Sequence, residues 1–333
     1  MDPLSQAALG AGWAQGAAKR PKVAAATAVG AIAGMAPDID VLIRSDVDPL
    51  LALELHRHFT HALVFVPVGA AICALLLYPL SRRWLSFEYC YLFSLLGYAS
   101  HGLLDACTSY GTMLFWPFTN KRVAWDIVSV VDPLLTLPMI AFVVLGVVRR
   151  QRRLALAGLA WCVLYLGFGV VQHQRAERVA MELAHSRGHV PERVAVKPSF
   201  GNLIVWKSIY ESEGRFYVDA VRAGIATSVF AGESLVKFDL ARDYPWLTSE
   251  MQQMNDVERF AWFADGFLAV DDEGRIVDMR YSLVPNRGDG LWGIVLDAEA
   301  PADTHAAYVT MRFRSADEGR SLLQMIFDRP VNE

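Results

Sequence analysis

The sequence predicts a polytopic α-helical membrane domain of four or five spans, followed by a β-rich α+β soluble domain. Of its 333 residues 54% are apolar and 20% charged, with a mean hydropathy of +0.28. This is too apolar for an ordinary soluble enzyme and too charged for an entirely membrane-embedded protein. The charge also divides, with 13 Lys and Arg against 10 Asp and Glu up to residue 171, and 18 against 25 beyond it. Alternating, strand-like patterns begin after this division.

Four internal segments have the length and composition of membrane spans, which need roughly 20 apolar residues to cross a 30 Å hydrocarbon core. These segments are 60–80, 87–104, 133–148 and 154–171. A fifth segment, 23–37, is shorter and rich in Ala and Gly. Residues 4–37 are therefore predicted to contain either a short span or a re-entrant hairpin of closely packed helices. The N-terminus has no basic region ahead of an apolar core, so a cleaved secretory signal is not expected.

Three basic loops predict the orientation of the membrane domain, because Lys and Arg near span ends are retained in the cytoplasm. The first loop is 19–22, the second is 82–83 and the third is 149–153. If residues 23–37 also cross the membrane, all three loops lie on the same side of it. The opposite, extracytoplasmic side then receives residues 38–59, residues 105–132 and everything after 172.

The sequence after residue 171 predicts a polar helical linker at 172–196 and a soluble, extracytoplasmic β-rich domain at 197–333. Residues 203–221 predict two strands around a Ser-Glu-Gly turn, and residues 266–284 predict a hairpin with its tip at 271–274. A further strand is predicted at 308–313.

The sequence does not predict nucleic acid binding or cysteine-based chemistry. No basic run with interleaved aromatic residues is present, so nucleic acid binding is unsupported. The four cysteines lie in apolar stretches without a CxxC pair, so we expect packing residues and neither a disulfide framework nor a thiolate metal site.

Histidine and aspartate side chains collect at the predicted outer ends of the spans, where ionisable groups are costly and tend to be functional. His101 and Asp105 are spaced i and i+4, and His58 and His61 are spaced i and i+3, so each pair would share a helix face. Imidazoles and carboxylates are ligands of Zn²⁺, Mn²⁺ and Fe²⁺ in hydrolytic sites. These histidine and aspartate donors outnumber the ligands that one catalytic zinc ion needs. A centre of one or two ions is therefore predicted. Besides those four, the cluster contains Asp38, Asp40, His56, Asp126 and Asp132.

Some of these residues also have structural interpretations. Asp132 precedes Pro133, as a helix N-cap precedes proline at the first helical position, and this interpretation is favoured. Asp126 could support the ligands without binding metal, and His58 could be an exposed residue at a helix end. Four further histidines have no clustered partner and are not predicted as ligands: His173, His185, His189 and His305.

The same segments resemble the YdjM/YbcI-type family of inner-membrane, metal-dependent hydrolases. The resemblance covers most of residues 1–175, and PSFGNLIVW (198–206) is similar to the start of an extra domain in a bacterial subgroup. It rests on GAIAGMAPDID (30–40), LIRSDVDPLL (42–51), HRHFTHAL (56–63), LLGYASHGLLDACTSYGT (95–112) and WPF (116–118). His58 and Ala62 depart from residues common in the family, but neither departure removes a presumed ligand.

The resemblance implies a multi-pass protein of the bacterial inner membrane whose PD-x-D, HR-x-x-TH and H-x-x-x-D motifs form a metal site. The motifs map onto Asp38, Asp40, His56, Arg57, Thr60, His61, His101 and Asp105. All of these except Arg57 and Thr60 are predicted to bind the metal, with zinc expected and manganese as the alternative. The family's likeness to zinc-dependent phospholipase C and nucleases favours phosphoester substrates.

We therefore expect a membrane-bound hydrolase that acts on a phosphoester or lipid-linked substrate at the outer face of the inner membrane. Arg57 is predicted to bind the substrate anion, with Lys121 and Arg122 as further candidates. Asp40 or Asp126 is predicted to accept the proton in catalysis.

Two other classes of function fit the sequence. The clustered ligands could belong to a divalent-cation binding or transport protein, although transporter sites usually lie near the bilayer midplane. The protein could also be a non-enzymatic envelope scaffold in which the polar cluster is structural. Metal content and hydrolytic activity distinguish these classes from the hydrolase.

Overall fold

The computed structural model describes residues 1–311 and 316–327. The chain divides into two compact units, which are described separately. The first comprises 1–43, 55–171 and 200–202, and the second comprises 44–54, 172–199 and the described residues from 203 onward. The segment 44–54, between the Asp-x-Asp and His-rich motifs, thus belongs to the second unit.

The predicted apolar segments all form helices. Seven α-helices run through the chain to residue 186: α1 Pro3–Ala17, α2 Val23–Met35, α3 Leu51–Leu55, α4 Val66–Ser81, α5 Phe87–Ala106, α6 Pro133–Arg149 and α7 Arg152–Ser186. Short 3₁₀ segments extend or connect them: Arg20–Lys22, Ala36–Leu42, Phe59–His61 and Leu63–Phe65. Proline at the first or second position of α1, α4 and α6 suits helix starts, since a backbone N–H there has no partner within the helix.

Within the described residues, three helical segments are long and apolar enough to cross a membrane: Arg20–Leu42, Leu63–Ser81 and Arg152–Ser186. The apolar helix Pro133–Arg149 is shorter. A helical membrane region is therefore confirmed, whereas the count of four or five spans stays a prediction. Residues 4–37 form the hairpin of α1 and α2, whose second helix lies within the candidate span Arg20–Leu42.

Glycines bring α1, α2 and α5 into backbone contact. A Cβ added to Gly10 would lie 2.3 Å from the carbonyl oxygen of Gly30, and one added to Gly97 would lie 2.4 Å from that same oxygen. A Cβ on Gly34 would lie 2.7 Å from the carbonyl oxygen of Gln6. Small residues permit such close helix crossings. The three helices are consequently fixed in register at the level of these glycines.

The three basic loops lie at one end of the first unit. Ala18, Val23 and Leu85 belong to one buried apolar cluster, which places the second loop beside the first. The third loop lines a cavity together with the first. The three loops are therefore neighbours at one end of the unit, while their location on the cytoplasmic side of the membrane stays a prediction.

The second unit contains two antiparallel sheets in the part of the chain that is described. In the first sheet the order is β1-β2-β3-β4, with β5 also paired to β3, and in the second it is β6-β7-β8-β9. The strands of the first sheet are β1 Arg193–Pro198, β2 Val205–Ser212, β3 Arg215–Ala223, β4 Thr227–Phe230 and β5 Ser234–Val236. Those of the second are β6 Leu268–Val270, β7 Ile276–Asp278, β8 Trp292–Val295 and β9 Ala307–Thr310. Among its described residues the unit also contains the end of α7, most of α3, and the helices α8 Leu240–Asp243, α9 Gln252–Phe263 and α10 Ala316–Ile326.

The predicted β-rich character and both hairpins are confirmed. Ser212 pairs with Arg215 across the first turn, and Val270 pairs with Ile276 across the second. The strand predicted at 308–313 is present as β9, although residues 312–313 lie outside the described residues. Apolar side chains from both sheets share one buried cluster that includes Phe216. Burial of this apolar surface stabilises the unit.

A buried lysine gives this unit a predicted pH dependence. Lys207 on β2 is only 3% exposed, and its Nζ donates hydrogen bonds to Ser282 Oγ, at 2.9 Å, and to the carbonyl of Arg287. Burial lowers the pKa of Lys207 from its ordinary 10.5 to about 7, although nearby acidic groups oppose the shift. The unfolded chain therefore binds more protons than the folded chain between these two pKa values, and stability rises with pH across that window.

We expect Lys207→Met to flatten the rise in unfolding free energy between pH 7 and pH 10. The measurement is urea unfolding of the full chain in detergent at several pH values, followed by near-ultraviolet circular dichroism. Lys237→Met is the control, because the Lys237 side chain is 40% exposed and loses less hydration on folding. Equal slopes for Lys207→Met and the unsubstituted chain would contradict the prediction.

Candidate metal centre

Histidine and aspartate side chains from three chain segments meet at the end of the first unit opposite the basic loops. Asp38 lies in the 3₁₀ segment that continues α2, whose other end adjoins the first basic loop. His61 ends the 3₁₀ segment shortly before α4. His101 and Asp105 occupy the last turns of α5. Each helix thus runs from a basic loop at one end of the unit to this cluster at the other.

Four donor atoms of this cluster face one another: the Nε2 atoms of His61 and His101, Asp38 Oδ1 and Asp105 Oδ2. The two Nε2 atoms are 2.9 Å apart. Asp38 Oδ1 lies 3.4 Å from the first and 3.3 Å from the second, and Asp105 Oδ2 lies at 3.2 and 3.5 Å. Both histidines and Asp105 are almost wholly buried, while the Asp38 side chain is 24% exposed.

These five distances, out of the six between four donors, are close to those around a single tetrahedral ion. A tetrahedron with zinc–ligand bonds of about 2.0–2.1 Å has edges of about 3.3 Å, and the measured separations of 2.9 to 3.5 Å bracket that value. Two imidazoles and two carboxylates are also a suitable donor set for zinc and manganese. The four residues therefore could hold a metal ion.

Hydrogen bonds on the other ring nitrogen leave each Nε2 free to bind a cation. His101 Nδ1 lies 2.6 Å from the carbonyl of Gly34, and because a carbonyl only accepts, this nitrogen carries the proton. Thr60 Oγ1 donates to Asp40 Oδ2 at 2.9 Å, and it lies 3.0 Å from His61 Nδ1, from whose N–H it can accept a hydrogen bond. Such outer hydrogen bonds fix the tautomer of a metal-binding histidine. In the neutral form of each histidine, the Nε2 lone pairs then face the same buried space, where a cation could bind them.

A second, more open group adjoins the first. Asp38, Asp40 and His56 also present donor atoms within 4.8 Å of one another, so Asp38 is common to both groups. His56 Nδ1 lies 2.9 Å from Asp40 Oδ1, and the His56 side chain is 26% exposed. Asp40 is fixed by the Arg57 backbone N–H, which donates to Oδ2 at 2.9 Å. The cluster is thus deepest at His101 and reaches solvent through Asp38 and His56.

Asp105 is held by cationic and amide donors at both of its carboxylate oxygens. Gln6 Nε2 donates to Asp105 Oδ1 at 2.9 Å, and the α-amino group of Met1 also contacts that oxygen. Arg57 Nε lies 3.1 Å from Asp105 Oδ2. These positive charges partly balance the carboxylates of a buried site, where unpaired charge is expensive.

Arg57, predicted to bind the substrate anion, is only 4% exposed and contacts the cluster itself. Besides its ion pair with Asp105, it donates from Nη1 to Thr108 Oγ1 at 2.9 Å. Its backbone has φ +61°, and its carbonyl accepts from Met113 N–H at 2.9 Å. These contacts fix the turn that presents His56 and His61.

Three sequence candidates remain, of which Arg122 contacts the His-rich segment. Arg122 donates to the carbonyls of His56 and Gly111 at 2.9 and 3.0 Å, and so braces the His-rich loop. Lys121 is exposed. Asp126 is not among the grouped donors; its neighbours Trp125 and Ile127 donate backbone hydrogen bonds to residues 106 and 107, just after α5.

Asp132 and His58 make contacts outside the donor cluster. Asp132 caps α6 by accepting from the backbone N–H groups of Leu134 and Leu135, and it also accepts from the hydroxyl of Tyr165. Its interpretation as an N-cap is confirmed. The His58 ring lies 5.4 Å from the ring of Trp116, and His58 belongs to neither donor group.

Some supporting residues carried little signal in the sequence. Gly34 contributes only a carbonyl, and Thr108 lies just outside the H-x-x-x-D motif. Gln6 is one of two fully buried glutamines, with Gln15, in a helix made mostly of small and apolar residues. A polar side chain in such a helix is the one sequence signal that could have indicated its contact with Asp105, because buried polar groups need partners.

The helices and the buried Asp/His cluster define a membrane protein with a candidate metal centre. A family profile described as "YdjM inner membrane protein" matches residues 1–176. The chain belongs to the YdjM inner membrane protein family, as the sequence resemblance indicated. This match covers the helical part of the chain and all residues of the cluster.

Two relatives align with parts of the chain. One is described as "Inner membrane protein YbcI" of Escherichia coli (strain K12), 34% identical over 107 residues, which are 30% of this chain and 60% of the relative. The other is described as "Uncharacterized protein YfhP" of Bacillus subtilis (strain 168), 25% identical over 202 residues, which are 60% of this chain and 59% of the relative. The chain thus spans about six tenths of the length of these relatives. No solved structure matches.

Proposed function

We propose that this protein is a metal-dependent hydrolase of the bacterial inner membrane. It acts on a phosphoester or lipid-linked substrate at the outer face, with zinc as the metal. The observation that carries the proposal is the four-donor set, in which two Nε2 atoms and two carboxylate oxygens converge, with five of their six separations close to the edges of a tetrahedron around one ion.

The roles that we propose for the two donor groups follow from how deeply each group is buried. His61, His101, Asp38 and Asp105 hold the metal, which supplies a water of lowered pKa and stabilises negative charge on the substrate. Arg57 holds Asp105 in place through its 3.1 Å contact. The Asp40–His56 pair lies at the open side, where it can receive a proton or, through Asp38, help hold a second ion.

The proposed substrate is an amphipathic phosphoester because the donors lie at the ends of helices that include candidate spans. Asp38 lies near the end of the candidate span Arg20–Leu42 and His61 just before the candidate span Leu63–Ser81, which supports a site at the level where the bilayer meets water. The exposed Lys121 is the sequence-predicted cation best able to meet a substrate anion, since Arg57 and Arg122 are engaged within the protein.

The direct test uses purified full-length protein in detergent. We expect about one zinc ion per chain by inductively coupled plasma mass spectrometry, and hydrolysis of bis(p-nitrophenyl) phosphate that stops on removal of the metal by a chelator and returns on adding zinc. Metal binding without hydrolysis of any phosphoester, combined with ion uptake into proteoliposomes, would favour the cation-transport alternative. If the protein bound no metal, the non-enzymatic envelope scaffold would be the remaining candidate function.

The orientation gives a separate prediction, motivated by the shared end of the three basic loops. Alkaline phosphatase fused after residue 175 should be active, because that point is proposed to lie outside the cytoplasm. The same enzyme fused after Arg153 should be inactive. The reverse pattern would move the metal centre to the cytoplasmic face and change the candidate substrates.

A further inference from the structure

A basic cavity lies at the end of the first unit opposite the metal centre. It has a volume of about 650 Å³, and five of its eight lining residues are cationic while none is acidic: Lys19, Arg20, Arg150, Arg152 and Arg153. All five are exposed. Among the residues that the structure describes, their side chains make no ion pair and no side-chain hydrogen bond. This concentration of unpaired positive charge occurs in a chain whose net charge is −4.

Local backbone structure adds to the positive potential of the cavity. Helix α7 begins at Arg152, and α2 begins at Val23, which also lines the cavity. The N-terminus of an α-helix carries a partial positive charge. The cavity therefore favours an anion with several oxygen acceptors, such as a phosphate group.

The surroundings of the cavity distinguish a lipid from a soluble anion. Its residues Arg20 and Arg152 are the first residues of two candidate membrane spans, Arg20–Leu42 and Arg152–Ser186. Val148 and Leu156, on either side of the third basic loop, are 73% and 48% exposed, so apolar surface continues from the loop along the helices. A soluble phosphate would make no use of that surface, whereas the acyl chains of a phospholipid would cover it.

We propose that this cavity binds the phosphate headgroup of an anionic phospholipid in the leaflet on the side of the basic loops. The headgroup lies among the five cationic side chains, and the acyl chains lie along Val148 and Leu156. The site is separate from the metal centre and does not depend on hydrolase activity. It ties the α1–α2 hairpin to the start of α7 through a shared ligand.

The test compares two variants that each remove two charges from the same end of the protein. Arg152→Gln/Arg153→Gln removes two cavity residues, whereas Arg82→Gln/Arg83→Gln removes two residues of the second basic loop that do not line the cavity. Full-length protein in a neutral detergent is mixed with equal amounts of phosphatidylglycerol and phosphatidylcholine, and the retained lipid is measured by native mass spectrometry. A basic side chain near an anionic lipid contributes about fivefold in affinity.

We expect the unsubstituted chain to retain phosphatidylglycerol in preference to phosphatidylcholine. Phosphatidylglycerol affinity should fall by about 25-fold in the cavity variant and much less in the control. If the cavity variant does not fold, as judged by its thermal midpoint, Lys19→Gln/Arg20→Gln tests the opposite wall. Equal losses in the cavity and control variants would overturn the proposal by assigning the binding to diffuse charge. Displacement of the lipid by inorganic phosphate at equal concentration would also overturn it, by assigning the cavity to a soluble anion.

Discussion

We expect His101→Ala to lose both bound metal and hydrolytic activity. His101 is the most enclosed nitrogen donor of the centre: it is fully buried, and Gly34 fixes its tautomer. Loss of an outer hydrogen-bond partner alone typically costs roughly 10–100-fold in metal affinity, so loss of a ligand should cost about 100-fold or more. Zinc affinity is measured by competition with a chromophoric chelator, and activity with bis(p-nitrophenyl) phosphate.

His58→Ala is the matched control for this prediction. His58 lies in the same His-rich motif as His61, but it belongs to neither donor group and its ring lies beside Trp116. We expect this variant to keep its metal and its activity. Full metal content and activity in His101→Ala would show that the proposed hydrolase is wrong, whereas equal losses in both variants would point to misfolding of the loop.

The second large effect is expected from Gly97→Ala, which tests the packing that aligns the centre. The new methyl group would lie 2.4 Å from the carbonyl oxygen of Gly30 and 3.1 Å from the backbone nitrogen of Gly34. Backbone atoms cannot rotate away as side chains can, so α5 must separate from α2. Overpacking of this kind costs about 1–3 kcal/mol and occasionally more.

Separation of these helices should also weaken metal binding, because the His101 hydrogen bond crosses from α5 to the Gly34 carbonyl on α2. We therefore expect Gly97→Ala to lower both the thermal midpoint and the zinc affinity of the full chain in detergent. Gly167→Ala is the control, since a Cβ there would have no heavy atom within 4 Å. Indistinguishable midpoints and affinities in the two variants would contradict the close contact.

Several features of the fold could be predicted because they depend on local composition or spacing. Long apolar runs become helices wherever backbone groups must be satisfied internally, as in α4 and α7. The turn at residues 212–214 produced the β2–β3 hairpin because Gly214 adopts the φ of +70° that the turn requires. The N-cap at Asp132 could be predicted because proline follows it at the first position of the helix.

Other features required knowledge of contacts between distant segments. The sequence predicted Arg57 as a ligand for substrate, but its guanidinium lies against Asp105 and Thr108, residues 48 and 51 positions away. Gln6 could not be assigned to the centre without the packing of α1 on α5. Pattern and spacing describe one element at a time, whereas these partners are selected by where helices cross.

The sequence by itself determined the kinds of chemistry present: apolar helices, a β-rich second part, basic loops, and histidines and aspartates grouped near helix ends. Only the tertiary structure decided which of those groups face one another. Glycine contacts between α1, α2 and α5 set the helix crossings, and these crossings bring the donors of His61 and His101 within 2.9 Å. The physical reason is that composition and period fix the secondary structure and burial of each segment, but ligand geometry depends on the distances between segments, which side-chain packing sets.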